Sequence, residues 1–110
     1  MTSIAEKMKP YRERIDALDE LIIELLVRRT DIIREVAYFK HDQDIPAVLE
    51  DRVIEVRERA STLAADKGLD EETIRQMYQL LIDYSCNLEE EIMRELPPSE
   101  GRQDKKVAAG

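Results

Sequence analysis

The stretch RERIDALDELIIELLVRRTDIIREVAYFK, residues 12–40, decides the fold. Its apolar residues include Ile15, Leu18, Ile22, Leu25, Ile32 and Val36. Steps of three and four place such side chains on one face of an α-helix. The gap between Leu25 and Ile32 leaves one place in the series, and Arg29 occupies it. Continued in both directions, the stripe takes in Arg12 and Lys40. A helix that buries this stripe buries these cations with it, and an unpaired charge away from water is very costly. Either acidic side chains of the protein pair with them, or an anionic ligand supplies the missing charge.

The remainder of the chain suits long helices. It is 43% hydrophobic with only 3 Gly and 4 Pro, and its aromatic residues are Phe39 and four Tyr. The core must therefore come from Leu, Ile, Val and Ala. One hundred and ten residues make one small domain. A net charge of -8 argues against nucleic acid, which needs a basic surface. It also repels a dianion at long range, so an anion site must be a short-range cluster of Arg and Lys. Cys86 is the only cysteine, which allows no internal disulfide and fits a reducing compartment. The opening MTSIAEKMKP lacks the apolar core of a signal peptide, and no run approaches the ~20 apolar residues of a membrane span. A cytoplasmic protein with no membrane partner is expected.

The first helix is expected to start near Pro10, a residue tolerated in a first turn, and to run to about His41. Such a helix is about 45 Å long, whereas a domain of this size has a radius of gyration of only ~13 Å. Its apolar stripe continues for the full length, so a second chain is needed to cover the excess, and an intertwined homodimer is predicted. HDQDIPAV, residues 41–48, reads as the connection. A second helix is expected from about Val48 to Asp66, with Leu49, Val53, Val56, Ala60 and Leu63 inward and Gly68 as its stop. Asp70 caps a third helix, and Glu71 and Glu72 suit the positive end of its dipole. Its inward positions are Ile74, Met77, Leu81, Tyr84 or Ser85, Leu88 and Ile92, and Pro97 and Pro98 end it. The fold class is thus all-α, a three-helix chain with a long first helix. A helical domain spans 1–96, and the aperiodic segment 97–110 is expected to be disordered.

Arg29 and Lys40 are eleven residues apart, three helical turns, and share nearly one face. Arg12 lies about 25 Å before Arg29 along the axis, too far for one small ligand to touch both on one straight helix. Across an antiparallel dimer, Arg12 of one protomer can reach Arg29 and Lys40 of its partner. The second helix adds Arg52, next to the inward Val53, and the third offers Ser85 and Glu89, four residues apart and so neighbours. Taken singly, each cation reads as a rim charge paired with Asp16, Asp19, Asp31 or Glu50, and Arg28, off the stripe, as solvated. Three cations in phase favour an anion site. His41, the only histidine, reads as a C-terminal cap, and without further His or Cys a transition-metal site is not expected. Cys86 reads as a packed thiol and the tyrosines as packing residues. No glycine-rich phosphate loop is present.

RERIDALDELIIELLVRR, VAYFK, IPAVLEDRV and GLDEETIRQMYQLLIDYS together resemble the all-helical (type II) chorismate mutase family. The resemblance covers about Tyr11 to Leu96, and the in-phase cations fall on the family's substrate-binding positions. It implies an intertwined dimer with two equivalent active sites, binding a small dicarboxylate and using no cofactor or metal. Arg12 would come from one protomer, and Arg29, Lys40 and Arg52 from the other. Arg12 and Arg29 match the carboxylate-binding arginines, Lys40 the lysine at the breaking ether oxygen, and Ser85 a serine at the substrate's edge.

Two positions depart from the best-known bacterial pattern. Val53 stands where those mutases carry a glutamate for the C4 hydroxyl, and Glu89 where they carry a glutamine that donates to the ether oxygen. The valine is similar to the family's isochorismate pyruvate lyases and its 4-amino-4-deoxychorismate mutases. The glutamate is similar to fungal chorismate mutases and to the aminodeoxychorismate mutases of antibiotic pathways. RVIEVRERASTLAADKGLDEE and CNLEEEIM look most similar to this last group. The implied reaction is a [3,3] rearrangement of a chorismate-type substrate. The lean is to 4-amino-4-deoxychorismate, with chorismate second and isochorismate pyruvate lyase as the alternative. Lys40, Glu89 and Arg29 are the expected catalytic residues; Arg12, Arg52, Val53 and Ser85 complete the binding set. The competing class is a helical dimer without catalysis.

Overall fold

Ser3 opens the first helix. In a computed structural model that describes residues 2–99, its Oγ accepts the amide N–H of Glu6 at 3.2 Å and its carbonyl accepts that of Lys7 at 3.1 Å. Ser-x-x-Glu is a capping signature that satisfies first-turn donors, and α1 runs Ile4–Asp42. It thus begins before the expected start, and Pro10 lies inside it. Proline removes one main-chain donor there, but its fixed φ is helical. The cap at Ser3 sets the boundary.

Helices α2, Glu50–Asp66, and α3, Glu71–Glu95, complete an all-α chain, with no strand among the described residues. Paired closing bonds end both α1 and α2. After α2, Gly68 takes φ 81°, with Gly68 N–H donating to Ala65 O at 3.2 Å and Leu69 N–H to Ala64 O at 2.8 Å. After α1 the same pair forms around Asp44, φ 57°: Asp44 N–H to His41 O at 3.3 Å and Ile45 N–H to Lys40 O at 2.8 Å. Both are Schellman closures, which use a left-handed residue to satisfy the last carbonyls. Asp70 caps α3 as expected, accepting from Thr73 N at 2.9 Å and from Thr73 Oγ1 at 2.6 Å.

The chain divides into two compact units, Met1–Ile32 and Ile33–Gly110, within α1. In the first, the apolar stripe is open: Ile15 is 56%, Leu18 61%, Ile22 53%, Leu25 50% and Ile32 58% exposed. In the second, α2 packs on α3 along small residues. Ala37, Ala60, Ala64 and Ile82 are its buried apolar side chains, with Ser61 buried beside them. The expected inward residues Val53, Val56, Ile74, Leu81, Leu88 and Ile92 are half-buried, and Ser85 rather than Tyr84 is buried. Leu49, Leu63 and Met77 are instead exposed. The α2 residues that go inside are Ala60, Ser61 and Ala64, so Leu63 lies off the seam.

A polar lattice crosses that seam. Arg75 Nε donates to both carboxylate oxygens of Glu58 at 3.2 Å, and its Nη2 donates to Ser61 Oγ at 2.9 Å. Arg57 donates to Glu58 at 3.0 Å and to Gln79 Oε1 at 2.6 Å. Hydrogen bonds from Arg57, then Arg75, hold the Glu58 carboxyl below its ordinary value.

His41 does not serve as the cap expected of it. Its Nε2 donates to the carbonyl of Pro97, just past α3. Ser99 is buried, so the segment expected to be disordered begins with placed residues, while 100–110 lie outside the described residues.

Candidate active site

The last turn of α1 and the middle of α3 bring one cation and one carboxylate together inside the second unit. Lys40 Nζ lies 2.7 Å from Glu89 Oε1, and their side chains are only 13% and 6% exposed. Nζ also donates to the main-chain carbonyl of Ala47 at 2.7 Å. The two contacts differ in kind. Ala47 receives a hydrogen bond, whereas Oε1 is buried with no hydrogen-bond partner among the described residues. The Lys40–Glu89 attraction is thus a charge contact lying off the hydrogen-bond direction. A buried pair of this sort is weak evidence for stability, because desolvating both charges offsets much of their attraction. Its chemical content is clearer: an ammonium can stabilise negative charge growing on an oxygen, and a carboxyl can donate a hydrogen bond only when protonated.

Ser85 sits one turn before Glu89 on the same face, is 5% exposed, and donates to Leu81 O at 2.9 Å. Val53 is half-buried and lines a cavity of about 430 Å³ with Gln79, Ile82, Asp83, Cys86 and Glu90. The Cys86 thiol is pushed up, first by burial and then by the charge of Glu89. Arg52 is exposed and pairs with Glu55 one turn along α2. In the first unit, Arg12 is exposed and Arg29 half-buried, while Arg28, off the stripe, is exposed and pairs with Glu24 at 3.5 Å. Of the expected site residues, then, the second unit joins Lys40 to Glu89 and sets Ser85 beside the latter. Arg12 and Arg29 belong to the first unit.

Sequence reasoning passed over the Ala47 carbonyl, since a main-chain atom has no residue type to flag it. The available signal was Asp44 followed two residues later by Pro46, the pattern of a helix stop with a left-handed residue. Among the described residues no group of three or more His, Cys, Asp or Glu side chains is arranged to hold a metal, and no helix is long and apolar enough to cross a membrane.

The profile of the family described as chorismate mutase type II matches residues 11–90. The chain belongs to the type II chorismate mutase family. It is an enzyme of the isomerase kind, which sets aside the reading as a helical module without catalysis, and its three-helix all-α architecture agrees with that family. Among curated relatives of the chain, a 4-amino-4-deoxychorismate mutase of Streptomyces venezuelae is 33% identical over 98 residues, covering 88% of this chain and 95% of the relative. A 4-amino-4-deoxychorismate mutase of Streptomyces pristinaespiralis is 31% identical over 86 residues, 78% of this chain and 67% of the relative. A chorismate mutase of Methanocaldococcus jannaschii is 27% identical over 90 residues, 82% and 91% of the two chains.

Proposed function

We propose that this protein rearranges 4-amino-4-deoxychorismate to 4-amino-4-deoxyprephenate, with chorismate to prephenate as the second substrate and product. The observation that carries the reading is the buried Lys40–Glu89 pair in a chain of this family. The preference for the amino substrate rests on Val53 and Glu89 and on the two Streptomyces relatives so named.

In this reaction the ether C–O bond breaks and a C–C bond forms within one molecule, so the atoms balance without a cofactor or an external nucleophile. The protein has two tasks. It must hold a flexible dianion in its compact reactive conformer, and it must stabilise the charge that grows on the ether oxygen. Arg12 and Arg29 are assigned the carboxylates, where a planar guanidinium offers a bidentate fit that lysine lacks. Arg52 adds positive charge to the binding set. Lys40 is assigned the ether oxygen, with protonated Glu89 as a second donor to it and Ser85 at the substrate's edge. Val53 removes a polar partner from the C4 substituent, which weakens selection for a hydroxyl there. The open stripe of α1 is assigned to a second copy of the chain, so that Arg12 of one protomer completes the site of its partner.

The test is a product assay. Purified protein is given 4-amino-4-deoxychorismate, chorismate and isochorismate in separate reactions, and products are identified by mass and retention. A higher kcat/KM for the amino substrate supports the proposal. A higher value for chorismate reverses the order of the two substrates. Pyruvate released with salicylate makes the chain a lyase.

A further inference from the structure

We infer that the connection between α1 and α2 is a clamp that aims the Lys40 ammonium, with Asp44 as its positioning residue; this inference rests on the function proposed above. Lys40 is held at both ends by the same short segment. Its main-chain carbonyl accepts the N–H of Ile45 at 2.8 Å, and its Nζ donates to the carbonyl of Ala47 at 2.7 Å. Between these bonds the chain must reverse, and it does so at Asp44, the one described non-glycine residue with positive φ, 57°. The bond from Asp44 N–H to His41 O, 3.3 Å, closes the turn.

The contact with Glu89 cannot do the aiming. Oε1 is near enough to attract the ammonium but lies off its hydrogen-bond direction, so the oriented partner is Ala47. An ammonium has three donors in fixed mutual geometry. When one is committed to Ala47, the directions open to the other two are set. A donor aimed in advance at the place where charge will develop is what electrostatic catalysis requires. Packing alone does not immobilise the segment either. Pro46, Ala47 and Val48 border a cavity of about 610 Å³ that also touches His41, Met93 and Pro98, so one side of the segment has room to move. The turn at Asp44 and the bond to Lys40 restrain it.

Three variants separate backbone preference from charge, since each removes the same carboxylate. Glycine and asparagine accept a left-handed φ, while a β-branched valine resists it. The readouts are kcat and KM in the product assay, and the ¹H–¹⁵N resonance of the Lys40 ammonium, assigned with Lys40→Arg. A hydrogen-bonded, shielded ammonium exchanges slowly enough to be seen. Asp44→Gly and Asp44→Asn are expected to keep that resonance and to stay within about threefold of the wild-type kcat. Asp44→Val is expected to lose the resonance and to lower kcat by about tenfold or more, with KM moving less than about threefold, because the lost interaction acts in the transition state. Helicity by circular dichroism should be unchanged in all three.

Wild-type kcat and resonance in Asp44→Val would overturn the clamp, as would an equal loss in Asp44→Asn. If Asp44→Val does not fold, Pro46→Gly takes its place, freeing the chain before Ala47 without a forbidden φ. It should weaken the resonance and cut kcat several-fold, and no change in either overturns the clamp. A wild-type protein that turns over none of the three substrates would refute the functional reading, and the ammonium resonance across the variants would still decide whether Asp44 holds Lys40.

Discussion

At Glu89 one carboxyl meets two requirements that pull apart. As the partner of Lys40 it is best ionised, but to donate a hydrogen bond to a substrate oxygen it must carry a proton. Glu89→Gln, which always has donors, should keep kcat within about tenfold of wild type, whereas Glu89→Ala should lose more than that; an equal loss in both would refute the role. Arg29→Lys is expected to lose most of its turnover, on the order of tenfold or more, with the fold intact, because guanidinium geometry goes while charge stays. Near-normal kinetics with unchanged circular dichroism would make Arg29 structural. Legibility at this scale was uneven. Arg12, Arg29 and Lys40 stood out because a cation interrupts an apolar period. Glu89 had no such mark: spacing made it a neighbour of Ser85, and its role came only through family resemblance. The Ala47 carbonyl was out of reach, because the bond depends on how the chain turns at Asp44.

The helices were visible from their periods, and their limits from their caps where these were read. Gly68 and Asp70 were read, but the Ser3–Glu6 box was passed over in favour of Pro10. The inward faces were right in type and partly wrong in phase, since α2 and α3 meet over Ala60, Ser61 and Ala64 rather than over their largest residues. Ile82 is the large apolar side chain buried in that unit, and Ile82→Ala should cost roughly 2–5 kcal/mol, read from denaturant midpoints. A second prediction concerns acid. The carboxyl of Glu58 is held below its ordinary value of 4.5, so its contribution is fully present above that pH and is lost as pH falls through its lower, folded-state value. Wild type and Glu58→Gln should differ in Tm at neutral pH and converge on acidification. Glu58 is 46% exposed, so added salt should narrow the difference. A gap that persists at pH 2.5 and in high salt would point to packing instead.

For the whole molecule, the decisive surface is the open face of α1. Ile15, Leu18, Ile22, Leu25 and Ile32 are each at least half exposed, a contiguous apolar patch of a kind that isolated soluble chains rarely leave open. Sedimentation should give twice the chain mass. Ile22→Asp should shift that toward a single chain and abolish turnover with it, since each site would lose the Arg12 of its partner. A monomeric wild type with full activity would refute the assignment.

Cys86 gives the α2–α3 seam a chemical clock. It is the only thiol in the chain, it is half-buried, and it lines the cavity beneath Val53. Burial and the charge of Glu89 keep it protonated at neutral pH, so it is a slow nucleophile while the seam is shut. Its alkylation rate therefore reads access through that cavity, and a bound ligand that fills the cavity or tightens the seam would make the clock run slower.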